Sequence, residues 1–432
     1  MENCELKTEN GKLKKYKLGE ICDLNLSSLK SSDKIDKILY LDTSSITENK
    51  IAGLQSFSIA NAPSRAQRKV KKNTIIFSTV RPNQNHFGIL RNPQTNLIVS
   101  SGFTTLDIRN PEEFDAEYVY LKLTQPYVVN HLQTLAQNSV SAYPSINPDD
   151  IGNLSFTFPP LHIQQKIAAV LTALDDKIAL NRRMNAKLEQ MAKRLYDHWF
   201  VQFDFPNADS KPYKASGGKM VWNETLKREI PAGWEVKSVN DISISYRGVG
   251  YSADDEKSVN DKDVVLILRG NNISNNHIVY DSNTVYLDKS FVSEEQKIHK
   301  YDFIMTMSSG SKEHVGKSAM FLFDSPHSYG AFCNKITPNK ECQFFLENYL
   351  HSEFFKKYIK VTCSGTGINN LTNEHFDKAL FAFPTENLLK SFNKKVGPIY
   401  EQVGVLEQEI QKLTALRDRL LPLLMNGQVE VR

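Results

Sequence analysis

Cysteine is scarce in this chain, and each copy stands alone. Cys4, Cys22, Cys333, Cys342 and Cys363 are odd in number and never form a close pair. That excludes a disulfide framework and an obvious zinc site, and it suits a reducing compartment. Long hydrophobic runs are missing too. No stretch approaches the roughly 18 apolar residues of a membrane span, and the polar start Met1–Lys15 is not a signal peptide. The expectation is a soluble cytoplasmic protein without membrane contact. The phosphate-binding signatures GxxxxGK[ST] and GxGxxG are absent. Gly316-Lys317-Ser318 has the tail of a phosphate loop, but Ser311 stands where its upstream glycine belongs. The ten histidines form no HExxH. The Asn/Asp-Pro-Pro-aromatic tetrad of adenine methyltransferases is also lacking. Phe158-Pro159-Pro160-Leu161 has the prolines without the polar group, and Asn147-Pro148-Asp149-Asp150 fails for the complementary reason. No catalytic residue, metal ligand or cofactor site is therefore assigned, and the chain reads as one that binds and positions.

The last absence is local. From Asn49 to Leu106, 58 residues hold eight basic side chains (Lys50, Arg65, Arg68, Lys69, Lys71, Lys72, Arg81, Arg91) and no acidic one. The formal charge of the whole chain is only +4, so this distribution matters more than the total. Asn83, Gln84 and Asn85 are interleaved with it. Basic groups neutralise phosphates, while Arg, Asn and Gln read base edges bidentately. A solvated basic loop is the bland alternative; the missing acids favour DNA.

What is present is a long amphipathic repeat. Ile167, Leu171, Leu174, Ile178, Asn181, Asn185, Leu188, Ala192, Leu195 and Trp199 alternate steps of four and three, the seam of a coiled coil. Adding 225 gives Phe392, Val396, Ile399, Val403, Leu406, Ile410, Leu413, Arg417, Leu420 and Leu424 in the same phase. Neither stripe can be buried alone, so each helix is expected to be the other's partner. Gly397, Pro398 and Gly404 interrupt the second copy. Proline lacks an amide proton and clashes with the preceding turn, which starts regular helix at or after Gly397 or kinks it there. The seam of the first helix can be merely an intramolecular core, leaving Arg182, Arg183, Lys187, Arg194 and Tyr196 to face outward toward a partner.

The segments before the helices repeat as well. Ile38–Ile51 (ILYLDTSSITENKI) aligns with Val265–Ile278 (VLILRGNNISNNHI), Thr74–Val80 with Asp302–Ser308, and Ile146–Pro159 with Leu371–Pro384. A period near 226 residues means two copies of a domain plus a helix, with an approximate internal twofold axis. The resulting organisation is a mixed α/β domain at 1–160, a first long helix at 161–203, a linker at 204–233, a second mixed domain at 234–386 and a second long helix at 387–432. Antiparallel pairing of the helices would hold the domains at opposite ends of a shared rod. In the second domain Arg247, Tyr251, Arg269, Asn271, Lys312 and Lys317 lie on polar, glycine-rich loops. Thr366, Asn369 and Asn370 fall where Ser139 and Tyr143 fall in the first copy. Most such loops are only turns, but the repetition makes them candidates alongside the basic residues of the first domain.

Several of these stretches carry a resemblance. Pro159-Pro160-Leu161 followed by Gln164-Gln165-Lys166-Ile167 resembles the central region of specificity subunits of Type I restriction-modification systems. Ile230-Pro231-Ala232-Gly233-Trp234 resembles the opening of their second half, and Leu420–Gln428 their close. The sequence departs from the family in two places: Gln164 stands where a Glu often precedes Gln, and Pro384-Thr385-Glu386 replaces the second Pro-Pro-Leu. The resemblance implies an α/β (α+β) fold with two similar target-recognition domains separated by an antiparallel coiled coil. It further implies double-stranded DNA as ligand, one half of a bipartite site per domain, and two methyltransferase subunits as partners. S-adenosylmethionine would be bound by those partners and not by this chain, and motor-nuclease subunits would join for cleavage. Two other readings are the recognition part of a self-contained DNA methyltransferase and a coiled-coil scaffold that binds no DNA.

Overall fold

Apolar residues at every third and fourth position carry the first long helix from Leu161 to Tyr196, where a π-helical turn, Asp197–Val201, ends it. The second runs without interruption from Glu386 to Met425. A computed structural model of the chain describes residues 7–8, 11–30, 32–33, 35–139, 143–280, 284–363, 369–429 and 431. It divides into two compact units, one of residues 1–179 with 412–432 and one of residues 180–411. Each long helix contributes to both.

In the first unit one sheet is wholly antiparallel, with strands ordered Phe87–Leu90, Thr74–Ser78, Phe103–Ile108 and Cys22–Leu24. Thr74–Ser78 is buried at every residue. Its alternation explains why. Ile75 and Phe77 pack with Tyr118, Val119 and Leu132 of the helices Ala116–Leu123 and Pro126–Gln137, while Ile76 faces Leu41, Leu97 and Val99 of a second sheet. That sheet is ordered Gln55–Ser58, Lys37–Leu41, Leu97–Ser100 and Ala66–Lys69, and its central pair is parallel. The helix core continues into the long helices through Ile167, Leu171, Leu424 and Met425. The start of one therefore packs on the end of the other.

The second unit repeats the plan. Strands Ser243–Arg247, Cys333–Pro338, Phe303–Thr306 and Ser318–Met320 form the antiparallel sheet. Val285–Asp288, Val264–Leu268 and Ser328–Tyr329 form the second, again with a parallel pair. Even a buried polar contact recurs with its members exchanged. Thr74 Oγ1 donates to Asp107 Oδ1 at 2.6 Å in the first unit, and Thr337 Oγ1 to Asp302 Oδ1 at 2.6 Å in the second. A hydrogen bond to a charged group contributes about 1.5–3 kcal/mol, enough to fix the register of each sheet. Here the end of the first helix (Ala192, Tyr196, Trp199, Phe200) packs with the beginning of the second (Leu389, Phe392, Val396, Tyr400, Val403), so the pairing is antiparallel in this unit as in the other.

Three expectations change. The helix is not broken at Gly397-Pro398. One proline in a helix interior costs about 3 kcal/mol, but Phe392, Val396, Tyr400 and Val403 on either side are at most 4% exposed. Each such side chain contributes about 1.5–3 kcal/mol, so burial outweighs the lost bond. Gly404 is a point of close approach rather than a breaker: a Cβ there would lie 3.0 Å from Cβ of Leu322. Tyr196 does not face outward. It is 4% exposed and packs edge-on against Phe200, Phe345 and Phe392, because the buried stripe widens where the helix meets the domain. Finally, the linker is folded. Met220–Asn223 pairs with Arg228–Pro231, and Phe205 stacks on both Tyr213 and Trp234.

None of the ten positions of either seam is exposed. Among the candidates, Ile167, Leu171, Ile178, Val396, Val403 and Leu406 are buried, and Leu174, Leu188, Leu195, Ile399, Ile410, Leu413 and Leu420 are half-buried. Asn181 and Asn185 are 0% and 3% exposed, and Asn181 Nδ2 donates to Glu409 Oε2 at 2.9 Å. Arg417, at a seam position, bridges to Asp175 at 3.0 Å. Polar seam residues with specific partners penalise a slipped register more than apolar ones do.

The junction between the first domain and its helix rests on Gln164, which is 1% exposed. Its Nε2 donates to the carbonyls of Glu113 (3.0 Å) and Pro159 (2.8 Å), and its Oε1 accepts from the amide of Asp115 (3.0 Å). A carboxylate could not donate, which accounts for an amide here. Nearby, Lys122 reaches the end of the second helix: Nζ donates to the carbonyl of Met425 at 2.6 Å. Burial lowers the Lys122 amine to about 8.

Candidate nucleic-acid interface

Each unit gathers its irregular backbone at one end of its sheets. In the first, the chain leaving Thr74–Ser78 forms a loop that is cross-linked to 143–146. Arg81 N donates to Pro144 O and Ile146 N to Thr79 O, both at 2.9 Å. Arg81 adopts a left-handed backbone (φ 48°) that turns its side chain out of the sheet, and its guanidinium lies 5.2 Å from the ring centroid of Tyr143. Pro82–Gln84 then makes one 3-10 turn. The amide of Asn83 donates to Gln133 Oε1 at 3.2 Å, and Asn85, also left-handed, donates to Glu48 Oε1 at 3.1 Å. Ser139 Oγ accepts from the amide of Ser145 at 3.4 Å. Arg65 joins the same end, since its carbonyl accepts from Ser101 N while Gly102 O accepts from Thr79 N. Arg65, Arg81, Asn83, Gln84, Asn85, Ser139 and Tyr143 thus share one edge.

Arg68, Lys69, Lys71 and Lys72 do not. Lys71 and Lys72 precede Thr74–Ser78, and a strand of that length separates them from Arg81 by about 13 Å of backbone rise. Lys69 pairs with Asp33 at 2.6 Å and Lys71 lies 4.0 Å from Asp107. Arg68 donates to Ser28 Oγ at 3.2 Å from a half-buried position. The acid-free window is therefore two structural features, only one of which is an exposed loop edge. Its neutralising carboxylates lie outside it, Asp107 one residue past its end and Asp33 well before its start, so the window concealed them.

The second unit collects its candidates more completely. Met307 O accepts from Leu371 N at 2.7 Å, the counterpart of the Thr79–Ile146 bond. Ser308–Ser309 pairs with Asn369–Asn370, and Ser308 Oγ donates to Asn370 Oδ1 at 2.6 Å. The loop back to Ser318–Met320 carries exposed Lys312 and half-buried Lys317, whose Nζ lies 3.2 Å from His314 Nδ1. Arg269 and Asn271 belong to a turn packed on Thr306, for a Cβ at Gly270 would lie 3.0 Å from that side chain. Arg247 ends the edge strand beside Asn334. Tyr251 comes near through two glycines. A Cβ on Gly248 would strike Gly330 O at 2.2 Å, and one on Gly330 would meet the Tyr251 ring at 3.4 Å. Thr366 lies outside the described residues.

The aligned segments Ile38–Ile51 and Val265–Ile278 fold alike. Each is a strand, a 3-10 turn (Thr43–Ser45, Gly270–Asn272) and a two-strand hairpin (Ile46–Thr47 with Lys50–Ile51, Ile273–Ser274 with His277–Ile278). The turn residues Glu48-Asn49 and Asn275-Asn276 all have positive φ, the type I′ geometry that suits strand twist. Sequence reading missed what the second hairpin does. His277 Nδ1 lies 2.8 Å from Glu407 and Nε2 3.4 Å from Glu189, one carboxylate from each long helix. Burial alone would depress this imidazole, but hydrogen bonds to Glu189 and Glu407 reverse the effect and raise it to about 10. Three residues so far apart in sequence left no local signal.

Comparison with known proteins agrees with this architecture. A family model described as a Type I restriction modification DNA specificity domain matches residues 10–190. The chain is 26% identical over 465 residues to the Type I restriction enzyme HindI specificity subunit of Haemophilus influenzae, covering 96% of this chain and 99% of that protein. It is 25% identical over 362 residues to the MjaIX specificity subunit of Methanocaldococcus jannaschii, covering 83% and 78%. The crystal structure of a Type-I restriction-modification system S subunit from M. genitalium has the same fold, with a TM-score of 0.54 at 16% identity over 97% of each chain. With its twin α/β units and paired long helices, the chain is thus similar along nearly its whole length to specificity subunits of Type I restriction-modification systems.

Proposed function

We propose that this chain gives a Type I restriction-modification complex its DNA specificity, each unit's loop edge reading one half of a bipartite site. The observation that carries this is the recurrence, in both units, of the same edge: a 3-10 turn, a type I′ hairpin and a cross-linked polar loop, which bears Arg81, Asn83 and Asn85 in the first unit and Ser308, Lys312 and Asn370 in the second. A single edge distinguishes few base pairs, at about 1–3 kcal/mol for each good bidentate contact. Two edges joined by stiff helices add their discrimination without a large ordering cost, because the spacing is set in advance.

The helix pair serves as spacer and as docking surface for two methyltransferase subunits, with Arg183, Lys187 and Arg194 exposed along the first helix. The chain supplies no chemistry: methyl transfer from S-adenosylmethionine belongs to the partners, and cleavage to motor-nuclease subunits. Methylation mapping of DNA from cells expressing the chain with its modification partner tests the reading by giving both half-sites and the unread gap. Inserting seven residues at matched levels of both long helices adds about 10 Å, or about three base pairs of gap. An unchanged gap in such a variant would refute the spacer.

A further inference from the structure

We propose that His277 is a positioning residue. By gripping one carboxylate from each long helix, it fixes the angle at which the second recognition domain stands on the helix pair, and so selects which gap between half-sites is accepted. The inference rests on the specificity reading above. It begins with geometry. The two ring nitrogens point in opposite directions, one toward Glu407 at 2.8 Å and the other toward Glu189 at 3.4 Å. Only an imidazolium can donate to both. His277 follows directly on the left-handed pair Asn275-Asn276 (φ 50° and 64°), so the tight turn leaves little slack between the clamp and its hairpin.

Beneath the hairpin, the second helix approaches the domain tightly at Gly404, where even one extra carbon would press on Leu322 at 3.0 Å. Glu407 lies three residues further on, nearly on the same helical face. Contact and clamp therefore act at one level of the rod. The grip reaches the reading edge through a short chain of bonds. Val279 N donates to Asn272 O at 2.8 Å, Asn272 Nδ2 to Val279 O at 2.9 Å, and Arg269 N to Asn272 Oδ1 at 2.9 Å. Tilting the hairpin moves Arg269 and Asn271 with it. The device belongs to the second half alone. At the matching positions the first half has Lys50 in place of His277, and Arg182 and Thr414 in place of Glu407 and Glu189; the carboxylate pair is not repeated.

The test uses the full chain assembled with its methyltransferase partner. The probes are duplexes carrying the two half-sites mapped for the wild-type complex, with the mapped gap and with gaps one or two base pairs shorter or longer. Wild type is expected to favour the mapped gap by about tenfold or more, and His277→Leu to bring the neighbouring gaps within about threefold of it. Affinity for a duplex bearing only the second half-site should stay within about twofold, which a general loss of folding would not allow. His277→Arg, which restores a two-sided cation, should recover the wild-type profile; Glu407→Gln should loosen it less than His277→Leu does. The clamp is overturned if His277→Leu and Glu407→Gln keep the wild-type gap preference, or if all gaps weaken equally. A wild-type complex indifferent to gap length overturns the spacer reading and the clamp together.

Discussion

Replacing Gln164 by leucine is the sharpest test of how the first domain is held to its helix. The two side chains are similar in volume, so the change removes polarity with little change in packing. Three groups lose their partner: the carbonyls of Glu113 and Pro159 and the amide of Asp115. Each buried unpaired group costs about 1–3 kcal/mol. Part is recovered from the greater hydrophobicity of leucine, about 1.5–3 kcal/mol when fully buried, leaving a net loss of about 3 kcal/mol. The effect also spreads to the helix Ala116–Leu123, whose N-cap Asp115 accepts from Tyr118 N at 2.9 Å. For a unit of about 200 residues, a loss of that size lowers Tm by roughly 6–12 °C. Circular dichroism melting of the full chain should show the earlier transition, and exchange of the Ala116–Leu123 amides should accelerate with it. A Tm within about 1 °C of wild type would mean that the three groups find other partners, and the junction argument would fail.

The His277 clamp makes stability depend on pH. Its folded value, about 10, lies above the unfolded value, so its contribution is full below about 6.5, declines as pH rises, and is lost above about 10. The Tm difference between wild type and His277→Leu should be large at pH 6 and close by pH 10; a constant difference would contradict the charge assignment. Lys122→Met should release the carbonyl of Met425 and cost about 1–3 kcal/mol, seen as faster hydrogen exchange at 420–425. Arg81→Ala should cost about 1–3 kcal/mol of binding and relax specificity in the first half-site, measured by selection from randomised duplexes. Lys69→Glu, opposite Asp33, should reduce thermal stability more than the salt dependence of DNA binding; a salt slope reduced by about one unit would instead place Lys69 on phosphate.

Periodicity made the long helices legible, because a 4-3 stripe can be buried in few ways, and recurrence at 225 residues named the partner. The fate of Gly397-Pro398 was not legible. Whether a proline is tolerated depends on how much apolar area flanks it, and Phe344, which stacks on Tyr400 at 4.6 Å, comes from far along the chain. Tyr196 was misplaced for the same reason: its neighbours Phe345 and Phe392 belong to other elements. Composition likewise marked Arg65 to Lys72 and Arg81 to Asn85 as one basic window. Strand direction divides them, sending Arg81 to the loop edge and Lys71 and Lys72 to the opposite end.

Sequence alone determined the duplication, the two α/β folds, the helical seam and the family resemblance, all of which are written in local period, short motifs or repeated order. Tertiary structure alone decided which cations meet carboxylates, which loops share an edge, and that Glu189, His277 and Glu407 form one clamp. Such pairings join residues separated by many tens of positions, and their energies depend on distance and burial, which no local pattern encodes.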